Sequence, residues 1–465
     1  MPGLLLAGCT SPPAAPATAR AAAAERAWLA RGLRQPGLRQ WLRAQGASHV
    51  PGTAWQLHQL RLVALYFHPD EQLARAGVQL ARADLRIARQ WPNPRLQLGI
   101  KYQATQAALL PSPWTLGAAV ELMLWSRAQR KAQQQRAQAA LRAARAMLRA
   151  SAWRLRLGVD RAFIASWRDT RDLELQSALL RLQRRRLRRL RGLEQQGWAS
   201  PLRVARALAR EQSRQRALLD LRARRAADML QLAAAIGVPA QALRGRALDL
   251  RAFDAAAPAG APVFASRLAE QALAHRADVR AAWQQLRAAD AELRRQIALR
   301  DGRSGSVAPG LRRDLGANDL TLRADLPLPL ANHHEGQIEA AAARRRQALA
   351  RLRGVQARAS ARFEQALLQL RAAARDSRLA LAQWQRARRL WRAAEAPRTR
   401  PWIDPLQREL SRDSMLQARR GLLHARARQW LALAALHAAL QLQADWPPSP
   451  RGRIPPRTGM LSLSS

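Results

Sequence analysis

Cys9, the one cysteine of this 465-residue chain, closes the run Leu4-Leu5-Leu6-Ala7-Gly8. A lone thiol forms no internal disulfide and no multi-cysteine zinc site, so its position carries the information. Leu6-Ala7-Gly8-Cys9 resembles a bacterial lipoprotein cleavage site, and the Thr-Ser-Pro-Pro-Ala-Ala-Pro that follows reads as a tether. Cys9 is therefore a candidate for acylation. A full secretion signal needs a positive segment and a longer apolar run ahead of the cleavage point, and the bland alternative is a chance match in a Leu/Ala-rich chain. His333-His334-Glu335 invites a metal reading, because imidazole suits zinc, copper and nickel. Adjacent side chains on a helix point about 100° apart and do not converge on one ion, whereas a tetrahedral site needs several converging ligands. A polar turn, with Gly336 beside it, is the preferred reading. The densest basic run, Arg181 to Gly192 (RLQRRRLRRLRG), suits nucleic acid, an acidic partner or plain solvation. No Gly-rich phosphate loop, catalytic triad or paired-carboxylate pattern is evident, so neither enzyme activity nor a cofactor is expected.

The charge balance is extreme: 79 Lys and Arg against 32 Asp and Glu, a formal +47. Lysine occurs only at Lys101 and Lys131, so the excess is arginine. Such a field attracts nucleic acid or anionic lipid, but the arginines run along the whole chain, which favours compositional bias. Beyond the Leu/Ala tract at the start no stretch approaches the length of a transmembrane helix. Any membrane crossing would then fall to strands.

Proline placement organises the elements. None occurs between Pro113 and Pro201 or between Pro329 and Pro397, so both gaps read as long helices. A helix from Arg127 to Glu194 would reach about 100 Å. Leu141, Leu148 and Leu155 recur every seven residues, and Leu175, Leu179 and Leu182, like Phe363, Leu367 and Leu370, repeat at four then three. That is coiled-coil-like packing. Ahead of each long helix lie segments of period two: RLQLGIKY (95–102), TLGAAVEL (115–122) and DLTLRADLPLPL (319–330). The last needs a partner strand near Asp301 to Asp314, where the sequence is Gly- and Arg-rich. After each long helix comes one turn: Trp198-Ala199-Ser200-Pro201-Leu202 recurs as Trp402-Ile403-Asp404-Pro405-Leu406, and Leu218-Leu219 recurs as Leu422-Leu423 at the same offset. Ser200 and Asp404 read as helix N-caps, with Pro201 and Pro405 at the first helical position. The chain is a duplicated unit of helix, two strands, very long helix, turn and helix. Its expected organisation is a signal remnant and tether over 1–46, a first repeat over 47–240, a linker over 241–265, a second repeat over 266–445, and a Pro-rich disordered tail over 446–465.

Three stretches, ALYFHPDEQLARAGVQLARADLRIARQWPNPRLQLG, LPLPLANHHEGQIEAAAARRR and GWASPLRVARALAREQ leading to LAAAIGVP, resemble the TolC family of outer-membrane efflux proteins. The resemblance covers about Trp55 to Leu442. It implies a mainly α chain with a small β part: tandem long helical hairpins forming a trimeric α-barrel tunnel in the periplasm, and four strands per chain contributing to a twelve-strand outer-membrane barrel. It also implies that Cys9 carries the lipid anchor. Leu122-Met123-Leu124-Trp125 departs from Leu326-Pro327-Leu328-Pro329 of the second copy, and the third strand is degenerate.

The expected function is a passive exit duct, a homotrimer served by a periplasmic adaptor and an inner-membrane efflux pump and seated in outer-membrane lipid. LPLPLANHHEGQIEAA looks most like the heavy-metal-cation branch; drugs or secreted proteins are the other cargo. Trp198, Ser200, Pro201, Trp402, Asp404 and Pro405 form the expected adaptor-docking tip, since aromatic anchors dominate many interfaces. The competing reading is that Trp198 and Trp402 only staple their own turns. A rival of another class is a basic coiled-coil scaffold or nucleic-acid binder, whose binding would fall steeply with salt.

Overall fold

The computed structural model describes residues 17–47, 53–102, 113–255, 272–300, 305–314, 317–326, 333–395 and 405–441. Cys9, Trp402 and Asp404 lie outside them. The helices are α1 (Ala17–Leu29), α2 (Pro36–Ala44), α3 (Leu57–Phe67), α4 (Pro69–Arg89), α5 (Arg127–Gln195), α6 (Pro201–Ile236), α7 (Arg251–Asp254), α8 (Ala277–Arg300), α9 (Glu335–Glu395) and α10 (Pro405–Leu440). The strands are β1 (Arg95–Tyr102), β2 (Trp114–Leu124), β3 (Gly305–Asp314) and β4 (Ala317–Asp325). Helix, strand, strand, long helix, helix therefore occurs twice, as α4-β1-β2-α5-α6 and α8-β3-β4-α9-α10.

The 69-residue α5 starts where Ser126, in extended backbone, accepts a hydrogen bond from the Gln129 amide at 3.2 Å. No proline interrupts it, and it buries residues around much of its circumference because α4, α6, α8 and α10 all pack against it. Its leucines alternate with small alanines, which lets neighbouring helices approach closely. α9, 61 residues long, packs chiefly on α10 and α8.

The main core lies midway along the bundle. Phe253 of α7 meets Phe163 and Trp167 of α5 and Trp430 of α10, with ring centroids 5.2 to 5.8 Å apart. Truncating such a side chain costs about 3–5 kcal/mol. This core corrects two sequence expectations. The described part of the 1–46 tether is helical: Leu33, Leu38 and Leu42 are buried in the core, and the amphipathic α2 supplies the last two. The described part of the 241–265 linker is structured as well, with a short 3-10 turn over Ala240–Leu243, buried Leu243 and Phe253, and a bridge from Leu248 to Trp55.

The four strands form one antiparallel sheet in the order β1-β2-β3-β4. β3 occupies the position where a partner strand was expected and keeps one register along β2, with Ala119 opposite Gly310 and Leu122 opposite Val307. Between those pairs the ladder to β2 is interrupted at Ala308–Pro309, since proline has no N–H to donate.

Candidate functional site: an exposed tip and a one-sided sheet

At the end of α5, Gly197 takes a left-handed backbone (φ 75°), which glycine adopts at no steric cost and which reverses the chain. The amides of Trp198 and Ala199 then donate to the Leu193 carbonyl at 2.7 and 3.2 Å. Ser200 stands at the N-cap of α6 and Pro201 at its first turn, as expected. The Ser200 side chain, however, makes no capping bond, and its carbonyl instead receives Arg203 N at 2.9 Å. The stapling role also moves. Ala199 is buried with Leu187, Leu190 and Ala207, and Val204 packs on the same group, so Ala199 and Val204 are the apolar pair that fixes the entry to α6. Trp198 is left 78% exposed, with Leu202 exposed beside it. Pro405 opens α10, and Leu406 packs on the Ala199 cluster while Arg189 pairs with Glu409 at 2.9 Å. The described parts of both turns therefore share one end of the bundle.

At the opposite end the sheet has two unlike faces. Leu96, Leu98, Ile100 and Tyr102 of β1 stand opposite Val120, Ala118, Leu116 and Trp114 of β2. Val307, Pro309 and Leu311 of β3 face Ala324, Leu322 and Leu320 of β4 on the same side. Every leucine of this face named so far is exposed, Leu320 at 85%. Tyr102 and Trp114 meet at one end of it, with ring centroids 4.8 Å apart and planes tilted by 53°. The other face carries Gln97 bonded to Glu121 at 3.0 Å and Arg312 paired with Asp319 at 3.3 Å. Strands of 8 to 11 residues have the length that a tilted span of a bilayer requires. No helix among the described residues is long and apolar enough to cross a membrane.

Buried charge that sequence reasoning missed joins the helices between these ends. Asp172 of α5, almost wholly buried, accepts from Arg420 Nε at 2.6 Å and Nη2 at 3.1 Å and meets His424 Nε2 at 3.1 Å, tying α5 to α10. Burial alone would raise its carboxyl, but the hydrogen bonds from His424 and Arg420 prevail and hold it at about 2. One turn earlier Asp169 accepts from Arg168 Nε at 2.5 Å and lies against Asp228 of α6. Burial, then the charge of Asp169 and a hydrogen bond with it, push Asp228 up to about 6 against the pull of Arg168 and Arg224. The available signal was Asp169 and Asp172, one turn apart on the helix that carries Phe163, Ile164 and Trp167, in the run FIASWRDTRDLEL.

His333 is exposed, and His334 adopts a left-handed backbone (φ 57°) with its carbonyl receiving Ile338 N at 2.9 Å, the geometry of a turn entering α9. Among the described residues no three His, Cys, Asp or Glu side chains are grouped to hold a metal.

Residues 63–238 match the outer membrane efflux protein family, so the first repeat carries that family's pattern and the TolC-type resemblance is borne out. No curated protein matches the chain. Among solved structures, a membrane protein from Pseudomonas aeruginosa is 19% identical, with 83% of this chain and 92% of that one covered at a TM-score of 0.67. The outer membrane protein VceC of Vibrio cholerae is 20% identical, with 87% and 99% covered and a TM-score of 0.66. CusC, described with its transmembrane channel formation, is 18% identical, with 83% and 92% covered and a TM-score of 0.60. At these identities the likeness establishes the fold: mainly helical, with one small sheet, as in outer-membrane efflux channels.

Proposed function

From a first repeat with the outer membrane efflux protein pattern and a whole chain with the channel fold, we propose that this protein is the trimeric outer-membrane exit duct of a tripartite efflux system. The single observation that carries the reading is the sheet. One face is apolar and largely exposed except at one end, where Arg313 and Asn318 pair across β3 and β4, and it asks for lipid; its opposite face is polar, and the strands lead into α5 and α9. A four-stranded antiparallel sheet leaves β1 and β4 as open edges, a liability that closure removes. Three copies joined edge to edge make a closed, even-stranded, twelve-strand barrel. The 69 residues of α5, at about 1.5 Å each, then reach about 100 Å into the periplasm. Such a duct supplies neither energy nor catalysis.

Trp198 and Pro201, with Pro405 beside them, form the tip for a periplasmic adaptor, and Trp198 is its anchor because it stands 78% exposed there. Trp402 and Asp404 complete the tip by the duplication. Acylation of Cys9 adds a lipid tether. For the cargo, heavy-metal cations rest on the resemblance of LPLPLANHHEGQIEAA, with drugs or secreted proteins as the other class.

The test has two arms. The protein, extracted from outer-membrane fractions, should run as a trimer and conduct ions in a planar bilayer; a cytosolic, monomeric chain that binds nucleic acid in a salt-dependent manner would overturn the reading. Trp198→Ala should lower adaptor binding and export while leaving trimer yield and melting unchanged, and unaltered binding would remove the docking role alone.

A further inference from the structure

The two long helices, α5 and α9, do not pack extensively on each other: α8 fills the space between them toward the sheet, and α10 packs on both toward the tip. α8 begins at Ala277 and α10 ends at Leu440, so the two fillers meet end to end. Arg276 donates to the Ala439 carbonyl there, and the Ala277 amide donates to Gln441 Oε1 at 2.8 Å. Around this joint the facing side chains are small, Ala281 and Ala282 on one side and Ala435 and Ala438 on the other, and a cavity of about 890 Å³ opens.

Its charge is one-signed. Arg154 and Arg161 of α5, seven residues apart, and Arg351, Arg358 and Arg362 of α9, spaced seven then four, line it from opposite sides. None of the five has a hydrogen bond or ion pair among the described residues. Among the described residues the only lining carboxylate, Asp278, is taken up by Arg276 at 3.0 and 2.7 Å. Trp153, Leu157 and Val355 supply an apolar wall. A neighbouring cavity of about 590 Å³ repeats the pattern, with Arg142, Arg145, Arg149 and Arg280 around Trp283 and no carboxylate among the described residues.

We infer that the cavity at the α8–α10 joint is a binding site for an organic anion with an aromatic or aliphatic body. Unpaired guanidiniums forming a fork around an apolar wall match a carboxylated or sulfonated molecule, and the volume lies in the range of small-molecule sites. A lipid headgroup is the wrong source, because the lining part of α5 (residues 147–161) lies about 30–50 Å along the helix from its start at the sheet. The binding site stands on this geometry alone. That its ligand is the cargo, making the cargo anionic rather than a bare metal cation, rests on the duct reading.

The experiment uses the full chain reconstituted in lipid nanodiscs, with carboxyfluorescein as the anionic probe and rhodamine 6G as a cation of similar size, followed by fluorescence anisotropy. Carboxyfluorescein should bind saturably and with an affinity that falls as salt rises; rhodamine 6G should not. Arg358→Gln with Arg362→Gln should weaken binding more than tenfold, whereas Arg206→Gln with Arg210→Gln on α6 should leave it unchanged. Equal binding of the cation, equal loss in the α6 control, or no saturable binding to the unaltered protein would overturn the site. If the double variant instead lowers trimer yield and the unaltered protein takes no probe, the arginines face another copy of the chain and the inference fails. Membrane fractionation and conductance are separate readouts, so the duct reading stands or falls independently.

Discussion

The two repeats join their helices in opposite ways. In the first, α6 ends at Ile236 and the following Gly237 lies against the start of α4: a Cβ at Gly237 would stand 2.7 Å from His68 Cα and 2.8 Å from His68 N. Arg31 seals the contact by donating to the carbonyls of Phe67 at 2.9 Å and Gly237 at 3.3 Å. In the second, α10 ends at Leu440, and the residue at the equivalent place is Gln441, also left-handed at φ 52°. There the backbones stand apart, and the Gln441 side chain crosses to the Ala277 amide. One backbone conformation thus serves two purposes. Glycine is required where main chains touch, and a reaching polar side chain is accommodated where they do not. The closed joint lies in the main core, and the open one leaves the arginine-lined cavity.

The sharpest way to break this contrast is Gly237→Ala. The left-handed backbone costs an L-residue about 1–2 kcal/mol, and the collision with the His68 main chain adds overpacking strain of about 1–3 kcal/mol. A loss of about 2–4 kcal/mol in denaturant unfolding is expected, and a loss below about 1 kcal/mol would show that the first joint is not tightly closed.

Asp228, a little over two turns ahead of Gly237, tests the closed side from within α6. Its folded carboxyl sits at about 6, above the usual unfolded value near 4. The unfolded chain therefore binds fewer protons between these values, so the contribution of Asp228 to stability is fullest below about pH 4 and is lost as pH rises through about 6. Asp228→Asn cannot ionise. It should abolish that decline and gain about 1–2 kcal/mol at pH 8, read from melting across pH. Asp172, held at about 2 on the α10 side, should show the opposite trend: its contribution is present above pH 4 and is lost as pH falls toward 2. A common sign for the two residues would contradict their assigned environments.

The smallest effect is expected at the open joint. Gln441→Gly gives up one cap to α8 but relieves a left-handed backbone, each worth about 1 kcal/mol. The two should nearly cancel, and a loss comparable with that of Gly237→Ala would erase the distinction between the joints.

How far the sequence could be read depended on the range of the interaction. Long helices follow from uninterrupted helical spacing without proline, and strands follow from period two, both local properties. The Trp-x-x-Pro-Leu turns and their constant offset exposed the duplication. The tip was legible as a place but not in its detail, because whether Trp198 or Ala199 turns inward depends on where Leu187 and Leu190 of the preceding helix arrive. Leu38 and Leu42 looked like tether residues because their partners are far away in the chain, in the main core.

By itself, then, the chain's order of residues determined the repeated plan, the lengths of its helices, the alternation of its strands and the strong excess of arginine. Only the tertiary structure decided which strand face is predominantly apolar across all four strands, which carboxylates share a buried site, and which of two equivalent joints closes. The physical reason is that these outcomes depend on distances between elements far apart in sequence. A difference as small as glycine against glutamine at one left-handed position accompanies backbone contact in one repeat and an open, positively charged cavity in the other.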